Sequence, residues 1–203
     1  QTEGMYRKAC WNPVIFQMPS GELWLFFKIG LFVADWTGWV AKSNDGGRTW
    51  SDKQPLPEGF LGPVKNKPEI IDNRLVCPSS TEGKGGWKFH VEILDLGTNE
   101  WKYVNIPRED AILTQDMTPV LPKDGKMPEI IPAEGAKPRP IDCIQPSILK
   151  HKDGRLQLVG RTRNGRLAST FSSDRGDSWT PVTLLDVPQI QWGTDAVTLR
   201  DGR

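Results

Sequence analysis

Two arginines stand two residues apart at Arg161 and Arg163. If extended backbone runs through both, they face the same side. A guanidinium is a planar fork that matches a carboxylate, so the pair is suited to clamping an acidic sugar; read without a ligand, it is a pair of surface arginines. Glu82 and Asp195 are the acidic candidates. A carboxyl group held near cations could act as general acid or base, or could hold sugar hydroxyls. Lys67 (between Asn66 and Pro68), Asn12, Gln145 and Lys28 add groups that could hold hydroxyls or a carboxylate. His90 alternates with Lys88 and Glu92 and could serve as a general base, or as a structural histidine with satisfied ring nitrogens. No metal-ligand spacing occurs, and no metal or organic cofactor is implied.

The elements that must position these groups are short strands in a repeat. Strands are expected over 11–17, 23–29, 37–43 and near 53–56, with a turn at Pro19–Glu22. The unit returns over 67–71, 75–79, 87–94 and 101–106, and again over 145–150, 156–161, 167–172 and 181–185. Each first strand carries a proline near its start, at Pro13, Pro68 and Pro146. A fourth unit begins at Gly193–Leu199, and Arg200–Arg203 match the turn at Lys152–Arg155. Four strands per unit at a period of roughly 40–50 residues is the signature of a β-propeller. The expectation is one all-β domain over 1–203, about three blades and the start of a fourth, incomplete at both ends. Residues 107–142 break the pattern with prolines from Pro107 to Pro140. They read as an insertion, either solvated or overhanging a pocket.

Three turns close these units. Ser43-Asn44-Asp45-Gly46-Gly47-Arg48-Thr49-Trp50 recurs as Ser172-Ser173-Asp174-Arg175-Gly176-Asp177-Ser178-Trp179, and Asp95 to Trp101 is a looser copy. The Asp can accept backbone N–H groups of its own turn, the Gly supplies positive φ, and the Trp plugs the layer beneath. This pattern resembles the Asp box, or bacterial neuraminidase repeat, of the sialidase superfamily. The resemblance implies a six-bladed propeller with the boxes on the face away from the active site. It extends to Cys10–Val14, Leu61–Pro68, Cys77–Glu82, Ile144–Ser147 and Gly193–Val197, which look like stretches of the bacterial and plant Asp-box exo-glycosidase-like family.

In a propeller, first strands start and second strands end on one rim. That rim would gather Trp11, Asn12, Lys65, Asn66, Lys67, Asp142, Gln145, Thr194 and Asp195 with Lys28, Ser79–Glu82, Arg161 and Arg163. The resemblance implies an exo-glycosidase on a terminal acidic, sialic acid-like sugar. A sialidase uses three arginines on the carboxylate, a Tyr nucleophile assisted by Glu, and an Asp acid/base. Arg161 or Arg163 would supply one of those arginines. The chain departs from the pattern in two ways: its only tyrosines are Tyr6 and Tyr103, and the first-blade Arg-Ile-Pro motif is absent. Two other readings use the same propeller: a lyase or glycosidase on uronate- or rhamnose-containing glycans with His90 as base, and a non-catalytic glycan-binding module.

Composition narrows the partners. With 26 basic and 25 acidic residues the net charge is +1, which gives no electrostatic reason to expect nucleic acid. No apolar run reaches membrane-spanning length. Glycan chemistry points to a secreted or periplasmic setting. Cys10, Cys77 and Cys143 read as buried free thiols.

Overall fold

The computed structural model describes residues 8–83, 85–112, 135, 137–189 and 192–202. Three four-stranded antiparallel meanders follow one another. The first blade holds β1 (Cys10–Gln17), β2 (Leu23–Ile29), β3 (Thr37–Ser43) and the short β4 (Gln54–Pro55). The second holds β5 (Glu69–Ile71), β6 (Arg74–Gly83), β7 (Gly86–Asp95) and β8 (Trp101–Asn105). A two-stranded ribbon, β9 (Asp110–Ile112) with β10 (Pro138–Pro140), precedes the third blade. That blade is β11 (Cys143–Lys150), β12 (Leu156–Thr162), β13 (Arg166–Ser172) and β14 (Thr183–Pro188). Among the described residues no helix is long and apolar enough to cross a membrane.

The strand order is as expected, but β6 runs four residues beyond the expected end at Ser79 and pairs with β7 out to Gly83↔Gly86. Residues 193–199 were expected to open a fourth blade; they carry no strand, although Thr198 Oγ1 accepts the Lys150 N–H at the edge of β11. Of the expected insertion, only the two ends are described, and residues 113–134 and 136 lie outside the described residues. Cys77 and Cys143 are buried free thiols as expected, whereas Cys10 is exposed.

The core lies between blades rather than within them, because each sheet is apolar on both faces. Val14, Trp24, Phe26 and Val40 of the first blade meet Leu75, Cys77 and Leu94 of the second. Phe89, Val91 and Ile93 of the second meet Cys143, Ile148, Leu158 and Trp179 of the third.

The turns after β3 and β13 take the geometry that their residues predict. Asp45 accepts N–H groups from Arg48 and Thr49 at 2.9 Å, and Trp50 Nε1 donates to Gly47 O. In the later copy Asp174 accepts the Ser178 N–H at 2.9 Å, and Trp179 Nε1 donates to Gly176 O. The looser copy keeps Asp95 as acceptor for Gly97 and Thr98. These bonds favour the charged carboxylates: hydrogen bonds from Thr49 hold Asp45 down to about 2, and those from Ser178 and Ser172 outweigh desolvation to hold Asp174 at about 2.

Candidate functional site

On the rim opposite these turns, β1 and β11 begin alike. Each carries a bulge, between Trp11 and Val14 and between Ile144 and Ser147. In each, the residue before the proline takes positive φ: 44° at Asn12 and 55° at Gln145. Positive φ is uncommon for side chains other than Gly and re-aims the chain where it occurs. Such backbone persists only when its surroundings hold it. At Gln145 the holders come from the second blade. Ser80 Oγ accepts the Gln145 N–H at 3.0 Å, and Asn66 Nδ2 donates to Gln145 O at 3.0 Å. Asn66 is almost fully buried and also donates to Ser147 Oγ and Thr194 O.

So oriented, Gln145 Oε1 accepts from Arg161 Nε at 3.1 Å. The Arg161 guanidinium lies 4.9 Å from the Trp87 ring centroid, and the Arg163 guanidinium lies 4.1 Å from the same centroid. The strand ends at Thr162, yet both arginines converge on one indole, a favourable cation–π arrangement. Partial burial lowers the Arg161 pKa, opposed by the Glu82 carboxylate and assisted by the Arg163 charge. Glu82 therefore shares this electrostatic environment.

Trp87 is itself braced by the ends of the long insertion. Asp142 Oδ1 accepts the Trp87 N–H at 3.1 Å, and Arg108 Nη1 donates to Trp87 O at 2.8 Å. Gly86 makes this possible: its φ is 80°, and a Cβ there would lie 2.3 Å from Asp142 Oδ1. Asp142 also approaches Arg163, at 3.8 Å.

The other expected residues fall into two groups. Asp195 is exposed at the rim, accepts from Ser147 Oγ at 2.9 Å and caps the Ala196 N–H. Lys67 is exposed just before β5, and Asn12 is half-buried. Lys28 and His90, by contrast, are turned away from the opening. Lys28 was expected to touch substrate, but it is 0% exposed and its Nζ donates to Pro63 O. Burial lowers it from 10.5 to about 8, against the pull of the Glu92 charge. His90 was the candidate base, but it is 1% exposed, bonds Glu92 at 2.8 Å and stacks on Tyr103 at 4.3 Å. Both strands point these side chains into the seam between the first two blades, so neither offers an atom to a ligand. Tyr103 is held in that stack, and Tyr6 lies outside the described residues.

Glu92 organises that seam. It is fully buried and accepts from Leu61 N, Gly62 N, Ser79 Oγ and His90. Gly62 must be glycine here: its φ is 69°, and a Cβ would meet Phe26 and Leu56 at 3.0 and 3.1 Å. Glu92 and Lys28 thus fix both ends of the Leu61–Pro63 turn that leads to Asn66. Sequence reasoning noticed Asn66, Ser80 and Asp142 as rim residues but missed Trp87, Arg108, Ser147 and Glu92. Their roles depend on partners far away in the chain. The one local signal was a glutamate two residues from a histidine in a strand, which puts both on one face. Among the described residues no His, Cys, Asp and Glu cluster could hold a metal ion.

Antiparallel four-stranded blades, apolar cores between them and a polar rim opposite the Asp turns define a protein of the sialidase-like β-propeller class. Within that class, the family described as BNR repeat-like domain matches residues 1–203, and the chain belongs to it. A search of curated proteins gave no match. Among solved structures, a protein of unknown function from Dyadobacter fermentans is similar with a TM-score of 0.62 at 15% identity, over 95% of this chain and 55% of that one. The α-L-arabinanase of Penicillium chrysogenum, complexed with arabinobiose, gives 0.57 at 16% identity, over 95% and 56%. The Trypanosoma rangeli sialidase in complex with sialic acid gives 0.53 at 16% identity, over 85% and 28%. The chain therefore spans about half of the first two structures, at 55% and 56%, and less of the third. At these identities the likeness is one of fold.

Proposed function

We propose that this chain forms the sugar-binding part of an exo-glycosidase that removes a terminal acidic, sialic acid-like sugar from a glycan. The observation that carries the reading is the convergence of Arg161 and Arg163 on Trp87, with Gln145 holding Arg161 and Glu82 close by. Two guanidinium groups backed by one indole, the Arg161 group half-buried, suit a carboxylate better than a neutral sugar. Lys67, Asn12 and Gln145 would hold hydroxyls. Glu82 is the first choice for proton transfer, since Asp195 is engaged with Ser147 and Ala196. Membership of the BNR repeat-like family and a fold shared with a sialidase and an arabinanase are consistent with glycan chemistry. A lyase with His90 as base is disfavoured by the burial of that ring.

The test is turnover of fluorogenic sialosides, uronides and neutral glycosides by the full-length protein. Turnover of an acidic glycoside is expected, and Arg161→Ala is expected to lower kcat/KM by roughly ten- to a hundredfold, since a hydrogen bond to a charged group is worth ~1.5–3 kcal/mol. Turnover confined to neutral sugars would overturn the assignment. Saturable binding of acidic sugars without turnover would leave a glycan-binding module.

A further inference from the structure

Glu82 borders two clefts. One, of about 510 Å³, contains Trp11, Phe32, Trp87 and Arg163 and is the sugar side of the site described above. The other, of about 440 Å³, lies between the outer strands of the first blade and the end of β6, with Trp36, Trp39, Leu56 and Phe60 among its walls. Ser80, Thr81 and Glu82 close one end of it. Val33 and Ala34 also line both clefts, and Trp11 of the first packs on Trp36 of the second with centroids 5.8 Å apart, so the two adjoin.

The second cleft has the size and chemistry of a ligand site: apolar walls with a few polar groups converging at one end. Its aromatic residues are held by contacts within the wall and behind it. Trp39 Nε1 donates to Thr37 Oγ1 at 2.8 Å, and Phe60 packs on Trp101 with centroids 5.6 Å apart. The Phe60–Gly62 end of the wall is fixed through the Glu92 bonds to the Leu61 and Gly62 N–H groups. The walls are therefore set before any ligand arrives, which reduces the ordering cost of binding.

We propose that this cleft is a leaving-group subsite that takes an apolar, aryl-sized aglycone, with Glu82 at the junction between it and the sugar cleft. The sugar half of this assignment rests on the exo-glycosidase reading, and the apolar half rests on the cleft alone. Glu82 stands where the bond between the two halves of such a ligand would lie. The substrate class that follows is an acidic sugar linked to an aromatic or similarly apolar group, rather than to a long hydrophilic glycan.

The experiment is equilibrium binding of phenyl and methyl thioglycosides of N-acetylneuraminic acid and of galactose to the full-length protein, followed by calorimetry. On both sugars the phenyl compound is expected to bind roughly tenfold tighter, the worth of burying some 60 Å² of apolar surface. Glu58→Trp, from an exposed position on the wall of this cleft alone, is expected to erase the phenyl gain and leave the methyl compounds unchanged. Arg161→Ala is expected to erase the preference for the acidic sugar and keep the phenyl gain. Equal affinities of phenyl and methyl compounds, or a Glu58→Trp loss shared by both, would overturn the subsite. A phenyl gain on both sugars with no acidic preference would overturn the sugar assignment and support the subsite.

Discussion

The two rims of this molecule differ in what shapes their turns. On the Asp-turn rim, Asp45, Asp95 and Asp174 bond N–H groups two to four residues away, as Asp45 does with Arg48 and Thr49, and the cross-blade ion pairs of Asp177 with Arg74 and Lys102 are added to a turn already closed by its own residues. On the other rim, the bonds that set the site cross between blades. Asn66 reaches Gln145 and Thr194, Ser80 accepts from Gln145, and Asp142 accepts from Trp87. Locally satisfied turns fold the same way wherever the repeat places them. A rim built from cross-blade bonds exists only when the blades are packed, and there the chain can hold Gln145 in left-handed backbone for a purpose. The difference separates what repeats for folding from what is unique and available for function.

The comparison breaks most readily at Glu92, which ties the rim to the core. Glu92→Ala removes the acceptor for two backbone N–H groups and the negative charge that favours the ammonium of buried Lys28. Removing one partner of such a buried set costs ~3–5 kcal/mol. Urea unfolding is expected to show a loss of that size, with a smaller loss for Glu92→Gln, which keeps one acceptor oxygen. A loss under about 1 kcal/mol for Glu92→Ala would mean that the seam does not depend on the charge.

Lys28 gives the next effect, and it is read through pH. Its folded pKa of about 8 lies below its ordinary 10.5. Between those values the unfolded chain binds more protons, so stability rises with pH through this window and the gain is lost as pH falls towards 8. The shift corresponds to a change on the order of 3 kcal/mol. Burial pushes Cys77 well up, and Cys143 and Tyr103 up to about 12, so their contributions are lost as pH rises and oppose the trend. The difference between the native chain and Lys28→Met isolates the lysine: it should shift in favour of the native chain as pH rises from 8 to 10.5. A difference that is flat with pH would show that Lys28 is not buried as an ammonium.

Asn66→Ala acts on the rim itself. Gln145 O, Ser147 Oγ and Thr194 O all lose a donor; Ser147 Oγ keeps the Ala196 N–H and Thr194 O keeps Lys65 Nζ, so the loss is on the order of 1 kcal/mol, that of an ordinary hydrogen bond. Faster amide exchange at Ser147 and Ala196 and weaker binding of an acidic sugar are expected together. Lost stability with unchanged sugar affinity would separate Asn66 from the site.

The contrast between rims also explains what the sequence revealed. Strand order, the Asp turns and the polar ends of first and second strands follow from short-range pattern, and the structure has them. Arg161, Arg163, Glu82 and Gln145 could be placed at this rim because they lie near or just past strand ends. That Lys28 faces the seam was not legible, because a position near a strand end does not say which side is buried. For His90 the alternation with Glu92 gave the shared face but not that this face is the seam, where the structural reading of the ring holds. Lys28 is sealed by Pro63, and His90 by Glu92 and Tyr103. Trp87 could not be found as the plate beneath two arginines, since its braces, Arg108 and Asp142, flank a stretch that reads only as an insertion.

The smallest effects test whether the Asp turns are as equivalent as their sequences. Asp45 and Asp174 are both held at about 2, below the ordinary 3.8. Their stabilisation is present above that ordinary value and is lost as pH falls towards 2. The turns differ in what they anchor: Trp179 is 7% exposed in the core between blades, while Trp50 is 37% exposed. Asp174→Ala loosens a tryptophan that the second and third blades share, whereas Asp45→Ala loosens one that is partly in water. Acid unfolding from pH 5 to 2 should therefore move to higher pH more for Asp174→Ala than for Asp45→Ala. Equal shifts would mean that the turn hydrogen bonds matter and the buried indole does not, which would make the two copies interchangeable in energy as well as in sequence.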